Sequence, residues 1–118
     1  MNKVESLIIY KEYFYLILYT ENILVKYPKI EKLSLVSNIK NNTYKGIELI
    51  IRSQKEYDKK IRLKLLNEID VNLKMLKVLI RLSYTKKYIN KRNYASWSKK
   101  ITNIGNLLGG WINSCLKQ

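Results

Sequence analysis

The sequence predicts an all-α fold, an antiparallel up-down four-helix bundle made by a single domain over residues 1–118. Three observations lead to this expectation. Apolar residues recur at alternating intervals of three and four over most of the chain, the spacing that places them on one face of a helix. No segment shows the two-residue alternation of a half-buried strand. A length of 118 residues suits one domain with one core.

The first predicted helix ends at the corner formed by Tyr27 and Pro28, because the residue before a proline is displaced from helical backbone angles. We expect its core-facing side to carry the stripe formed by Leu7, Tyr10, Phe14, Ile17, Glu21 and Leu24. The second helix is expected over about residues 30–55, with a stripe formed by Leu33, Val36, Ile39, Thr43, Ile47 and Ile50. A polar stretch, residues 53–60, then provides the next turn.

The third and fourth helices have the most regular patterns. From Arg62 onward, the third helix carries a strict stripe of Leu66, Ile69, Leu73, Leu76, Ile80 and Ser83. Asn90 is predicted to cap the start of the fourth helix, because its side-chain oxygen can accept a hydrogen bond from a free backbone N–H. The fourth helix then runs to about Cys115, with an uncharged core stripe of Tyr94, Trp97, Ile101, Ile104, Leu108, Trp111 and Cys115.

Composition excludes several classes of function. The chain has no His and one Cys, which rules out a His-based catalytic triad, a His-ligated zinc and a thiolate metal site, so we expect neither metal nor cofactor. Glu68 and Asp70 point about 200° apart on a helix and cannot share a proton, so we expect no enzyme. Asp70 is expected to pair with Lys74 instead. The longest apolar run, residues 13–19, is too short to cross a membrane, and the single thiol of Cys115 suits the cytoplasm.

The charge balance indicates a polyanionic partner. The chain has 23 basic and 9 acidic residues, for a formal net charge of +14. It is rich in Lys, Asn and Ile, as AT-rich coding sequences are, yet such a bias should also enrich Glu, and only seven Glu occur. A field of this sign favours nucleic acid through counterion release and steering. An acidic protein partner, a membrane surface and simple solvation are the alternatives.

The basic residues are concentrated in the C-terminal half of the chain. Residues 1–28 carry no net charge, whereas residues 57–90 carry +6 and residues 91–118 carry +5. The candidate nucleic-acid-binding residues are the cations of the last two segments other than Lys117, namely Lys59, Lys60, Arg62, Lys64, Lys74, Lys77, Arg81, Lys86, Lys87, Lys91, Arg92, Lys99 and Lys100. Tyr84 and Tyr88 add rings on which bases can stack. No known nucleic-acid motif is present, so we expect sequence-tolerant contacts to phosphates.

Three glycines, Gly105, Gly109 and Gly110, fall within six residues of the fourth helix. Each glycine in a helix costs about 1 kcal/mol relative to Ala, so something should need the missing side chains. We expect these glycines, together with Trp111, to allow close packing of a neighbouring helix or subunit. Helix termination is the alternative.

The same segment carries a family resemblance. Residues 104–112, IGNLLGGWI, resemble the C-terminal signature of the accessory variability determinant (Avd) proteins of diversity-generating retroelements. Further segments are similar in order and spacing: LIIYK at residues 7–11, YPK at 27–29, EID at 68–70 and LIRL at 79–82. The resemblance covers about residues 6–115. Four-helix proteins encoded in intervening sequences of ribosomal RNA genes share the architecture and part of the pattern.

The resemblance implies a basic four-helix bundle that assembles as a homopentameric barrel. It also implies binding to RNA and DNA, such as an RNA–DNA hybrid, and a partnership with the reverse transcriptase of the retroelement in mutagenic retrohoming, with catalysis left to the polymerase. On this basis we expect the second apolar edge of the first helix, Ile9, Tyr13 and Leu16, to face a neighbouring subunit. The alternative is a structural or protein-interaction module without specific nucleic-acid binding.

Overall fold

The structure, a computed structural model, describes residues 3–118, with Lys3 described by its backbone alone; residues 1 and 2 of the predicted domain lie outside it. Within this range the chain forms four helices and no strand. The helices are α1 (Lys3–Leu24), α2 (Leu35–Lys55), α3 (Lys59–Thr85) and α4 (Lys91–Leu116). One turn of 3-10 helix, Lys29–Glu31, lies between α1 and α2. The prediction of an all-α fold with four helices is therefore confirmed, although α2 begins five residues later than predicted.

The four helices stand side by side in a rod of 46 × 25 × 19 Å. Short connections make successive helices antiparallel neighbours. Helix α1 packs against α2 and α4, and α3 packs against the same two helices, so α1 and α3 are diagonal to each other in the described part of the chain. This diagonal relation decides which helix faces remain outside the bundle.

The stripes predicted for α3 and α4 form the core, as expected. Both tryptophans of α4 are buried, and the Trp97 Nε1 donates a hydrogen bond of 3.1 Å to the Thr20 hydroxyl on α1. Between the neighbouring helices α1 and α2, the buried Tyr13 hydroxyl donates to the backbone carbonyl of Thr43 at 2.6 Å. Asn90 caps α4 as predicted, and its side chain accepts from the Asn93 N–H at 2.7 Å.

The predicted orientation of α1 is wrong. Ile9, Tyr13 and Leu16, expected at a subunit interface, are buried in the core, whereas Leu7 and Phe14, expected in the core, are 63% and 47% exposed. Helix α1 carries apolar residues on nearly every face, so two stripes satisfy helical spacing and periodicity alone does not choose between them. The stripe of α1 that is buried in the structure includes Thr20, whose hydroxyl accepts the hydrogen bond from Trp97. In α2, Leu33 was also expected in the core, but it lies before the helix and is 90% exposed.

Close helix approach occurs at a different glycine from those predicted. A Cβ atom added to Gly46 would lie 1.9 Å from the Tyr13 hydroxyl oxygen, so α1 and α2 require a glycine there. A Cβ at Gly105 or Gly109 would meet nothing within 4 Å, and one at Gly110 would meet a Glu5 carboxylate oxygen at 3.6 Å. Close helix packing at Gly105 and Gly109 is therefore wrong for the chain itself, and so is termination, because α4 continues to Leu116. Packing by another subunit stays a prediction.

Candidate nucleic-acid interface

The corner between α3 and α4 holds an unusual backbone conformation. Lys87 has a φ angle of 65°, in the left-handed region that glycine usually occupies at the end of a helix. The Lys87 N–H donates to the Tyr84 carbonyl at 2.9 Å, and the Tyr88 N–H donates to the Ser83 carbonyl at 3.0 Å. These two bonds satisfy the last carbonyls of α3 in a Schellman arrangement. The corner is thus well bonded, but a lysine holds the position that favours glycine.

Two tyrosine rings are stacked beside this corner. The ring centroids of Tyr84 and Tyr94 are 4.6 Å apart, and the ring planes differ by 4°. Tyr94 is half-buried and packs against the core, whereas Tyr84 remains 37% exposed. The short connection brings the last turn of α3 next to the first turn of α4, which is how residues ten apart in sequence come to stack. Tyr84 is therefore the outer ring of the pair, and the Tyr94 ring covers its inner face.

Below the tyrosine pair, a groove runs between α3 and α4. We define the α3–α4 groove by Lys74 and Lys77 on α3 and by Thr102, Gly105 and Asn106 on α4. These residues line a cleft of about 200 Å³ together with Leu73, Ile101 and the carboxylate of Asp70, which is paired with Lys74. Lys77 Nζ donates to the Thr102 hydroxyl at 2.8 Å. Gly105 contributes no side chain to the floor of the groove, which leaves the cleft open.

Positive charge continues from this groove to the tyrosine pair. Lys74, Lys77, Arg81 and Tyr84 are spaced three, four and three residues apart on α3, so they share one face. Lys74 forms the predicted ion pair with Asp70, at 2.6 Å. Residues 71–118 contain ten basic side chains and no acidic one. Arg81, Lys87 and Lys91 are exposed and take part in none of the ion pairs found within residues 3–118.

Two of the predicted cations hold the fold together instead. Arg62 is only 7% exposed, and its guanidinium donates to the Glu56 carbonyl at 3.0 Å and to the Gln118 side-chain oxygen at 3.3 Å. Lys59 Nζ donates to the backbone carbonyls of Leu116 and Gln118, at 3.2 and 3.1 Å. Both side chains tie the end of α4 to the start of α3. We leave them out of the candidate interface.

The other predicted cations are spread over three further surfaces. Lys60 and Lys64 are exposed near the start of α3, at least about 30 Å along the helix from Tyr84. Lys100 lies 5.0 Å from the ring centroid of Tyr19 and therefore faces α1. Arg92 and Lys99 are exposed on α4 and do not line the cleft. Among the predicted cations, Lys74 and Lys77 line the groove, Arg81 continues their face of α3, and Lys87 and Lys91 lie at the α3–α4 corner.

Lys86 and Tyr88 belong to a buried carboxylate cluster. Glu31 accepts hydrogen bonds from the Ser34 hydroxyl at 2.5 Å, the Tyr88 hydroxyl at 2.7 Å and Lys86 Nζ at 3.2 Å. These bonds, that of Ser34 foremost, lower the pKa of Glu31 to about 2, and the Glu31 carboxylate in turn raises the pKa of Tyr88. The cluster fastens the α3–α4 corner to the 3-10 turn.

Tyr94, and not the predicted Tyr88, lies beside Tyr84 in the structure. The Tyr88 ring tilts against Tyr27, with centroids 5.5 Å apart, and its hydroxyl is bonded to Glu31, so it does not extend the exposed face with Tyr84. Tyr94, expected only as a core residue, takes its place. The signal for Tyr94 was present in the sequence, because an antiparallel pair with a short connection places the last turn of one helix beside the first turn of the next.

Neither a metal cluster nor a membrane span is found in the described range. Among residues 3–118, no group of three or more His, Cys, Asp or Glu side chains is placed to hold a metal ion. No helix in the same range is long and apolar enough to cross a bilayer.

Comparison with known proteins adds one finding. A profile of the family described as bAvd-like matches residues 7–115, which is nearly the whole chain. No curated protein matches this sequence.

Proposed function

The chain belongs to the bAvd-like family, and on this basis we propose that it is a nucleic-acid-binding accessory protein of a diversity-generating retroelement. In this role it binds the template RNA and its DNA copy and associates with the reverse transcriptase of the same element, which performs the catalysis of mutagenic retrohoming. The proposed binding to nucleic acid rests on one observation, the run of cations along the α3–α4 groove.

The charge of this surface supports the proposal. A chain of phosphates that contacts Lys77, Arg81 and Lys87 displaces condensed counterions, and their release provides most of the affinity in sequence-tolerant binding. Lys77 and Arg81 are four residues apart on one helix, and such like-charged pairs are mildly destabilising unless an anion lies between them. No carboxylate follows Asp70 in the sequence to neutralise these groups internally.

The exposed apolar surface supports assembly into a ring. Helix α1 exposes Leu7, Phe14 and Leu18, and α3 exposes a second stripe of Val71, Met75, Val78 and Leu82, spaced four, three and four residues apart. Because α1 and α3 are diagonal, these two unlike surfaces face away from each other. Packing α1 of one chain on α3 of the next gives a heterologous interface, which closes into a ring when the rotation allows it. The pentameric number rests on the family.

The apolar stripes also suit a second candidate function, a structural or protein-interaction bundle of the intervening-sequence type. Such a module would use the same exposed stripes and would leave the groove solvated. The two functions differ in whether nucleic acid binds to the protein at all.

The test measures binding of the purified protein to a labelled RNA–DNA hybrid by filter binding over a salt series, with light scattering for mass. We expect tight binding that weakens with salt at a slope of about −0.9 per phosphate contact, and a mass near five chains. Arg81→Ala should make the slope shallower by about 1, whereas Lys45→Ala, on the exposed side of α2, should leave it unchanged. Absence of binding at low salt would favour the interaction module instead.

A further inference from the structure

We propose that the α3–α4 corner is a site for an unpaired nucleobase, where a single strand of nucleic acid stacks one base on Tyr84 while its phosphates follow Arg81 and Lys77 along the groove. This inference rests on the proposed nucleic-acid binding and specifies its ligand. The protein then selects single strands by their exposed base faces, in addition to attracting any polyanion by charge.

The tyrosine pair is built as a stacking surface. Tyr94 covers one face of the Tyr84 ring in a nearly parallel stack, with 4.6 Å between centroids, and Tyr94 itself packs against the core. Tyr84 nevertheless stays 37% exposed. Its hydroxyl forms none of the hydrogen bonds found in the described chain, and Tyr94 is the one ring found stacked on it there. A base added to this stack extends it, and every base has a face that can do so.

The selectivity follows from base pairing. In a duplex each base is covered above and below by its neighbours, so its face is not available to a side chain without unstacking. A single strand presents its bases freely, and stacking on an aromatic side chain typically contributes about 1–3 kcal/mol per base, or roughly a 5- to 150-fold gain in affinity. The corner therefore distinguishes the two forms of nucleic acid without reading sequence.

Lys87 adds a cation in an unusual backbone conformation to this corner. Its left-handed backbone costs a non-glycine residue energy that a glycine would not cost, and strained conformations of this kind concentrate at functional sites. The Lys87 N–H donates to the Tyr84 backbone carbonyl, so the two residues lie in the same turn at the end of α3. A cation at this position can meet the phosphate of the stacked nucleotide. Phosphate binding gives a reason for a lysine at a position where glycine would be the more stable residue.

The groove offers a path for the adjoining phosphates. Lys77, Arg81 and Tyr84 follow one another by about one helical turn, ~5.4 Å, along one face of α3. Gly105 keeps the floor of the cleft clear, since a Cβ there would meet nothing within 4 Å. From Arg81 to the corner, the strand would pass no carboxylate of α3 or α4.

The test compares two strands with the same number of phosphates, a twelve-unit oligothymidylate and a twelve-unit abasic strand, by filter binding. We expect the protein to prefer the strand with bases by roughly 5- to 150-fold. Tyr84→Ala should abolish this preference, and Tyr84→Leu checks that the loss reflects the ring and not a cavity. Tyr84→Phe should retain it. The matched control is Tyr57→Ala, which removes a fully exposed tyrosine at the other end of α3.

A second variant separates binding from folding. Lys87→Gly should raise the midpoint of thermal unfolding, because glycine suits the left-handed backbone, and it should weaken binding of both strands roughly fivefold at 0.1 M salt, the effect of one phosphate contact to a single strand. A merely structural role for Lys87 would leave binding unchanged.

The possible outcomes distinguish the inference from the function it rests on. Equal binding of the two strands by the parent protein, or a preference that survives Tyr84→Ala and Tyr84→Leu, overturns the stacking site but leaves charge-driven binding intact. Failure of both strands and of the RNA–DNA hybrid to bind at low salt overturns the proposed nucleic-acid function itself. A preference for the strand with bases that is lost in Tyr84→Ala and Tyr84→Leu but kept in Tyr84→Phe supports both the stacking site and the proposed nucleic-acid binding.

Discussion

Replacing Gly46 with alanine should destabilise the protein, although alanine is the better helix former. The added methyl group would lie 1.9 Å from the hydroxyl oxygen of Tyr13 and 2.4 Å from its Cζ atom, distances that no real contact reaches. Tyr13 is buried and donates a hydrogen bond to the Thr43 carbonyl at 2.6 Å. The ring must therefore move, or α1 and α2 must separate.

The magnitude follows from three contributions. Overpacking a core by a methyl group costs about 1–3 kcal/mol. A buried hydroxyl that loses its partner costs about 1–3 kcal/mol more. Helix propensity offsets about 1 kcal/mol. The central expectation is a loss of about 3 kcal/mol in the free energy of unfolding, or a decrease of roughly 10 °C in Tm for a chain of this length.

Thermal and urea unfolding followed by circular dichroism measure this loss, and the chain offers a matched control. Gly105→Ala adds the same methyl group to an open position of α4, so it should stabilise the protein by about 1 kcal/mol. In a Tyr13→Leu background, Gly46→Ala should cost much less, because the clashing ring is absent. The reasoning is refuted if Gly46→Ala and Gly105→Ala change stability in the same direction.

Two further predictions concern the Glu31 cluster and the apolar stripes. Because the folded-state pKa of Glu31 is lowered from 4.5 to about 2, its ion and hydrogen bonds stabilise the protein above pH 4.5 and are lost as the pH falls through about 2. The Tm difference between Glu31→Gln and the parent protein should therefore be largest above pH 4.5 and vanish towards pH 2; a constant difference would contradict this. Phe14→Glu on α1 and Val78→Glu on α3 should each lower the mass measured by light scattering while leaving helicity unchanged, and an unchanged mass in both would exclude these stripes as the interface.

The sequence is sufficient to predict which face of a helix is buried where one face is apolar and the others are polar. The α3 and α4 stripes meet this condition, and their core residues are buried as predicted. Helix α1 does not, because its apolar residues surround the axis, and only packing against Thr43, Gly46 and Trp97 selects the buried face. Periodicity carries no information about that choice.

The candidate site was predictable in charge but not in arrangement. The excess of cations after Asp70 is visible in the sequence, yet the buried position of Arg62 depends on the Glu56 carbonyl in the turn before α3 and on the side-chain oxygen of Gln118, which follows α4. Likewise, a glycine in open space and a glycine under a tyrosine ring look the same in a sequence, which is why close packing is predicted at Gly105 and found at Gly46. Residue type indicates what a position can do, and only the neighbours decide what it does.

The position of the two tryptophans gives the protein a built-in optical probe. Trp97 and Trp111 are the only tryptophans in the chain, and both point from α4 into the core. Indole fluorescence shifts to the red when water reaches the ring, so detachment of α4 changes the emission strongly, whereas a strand lying in the groove touches neither indole. Emission excited selectively at tryptophan therefore reports folding during a nucleic-acid titration, without a label and without interference from the tyrosines at the corner.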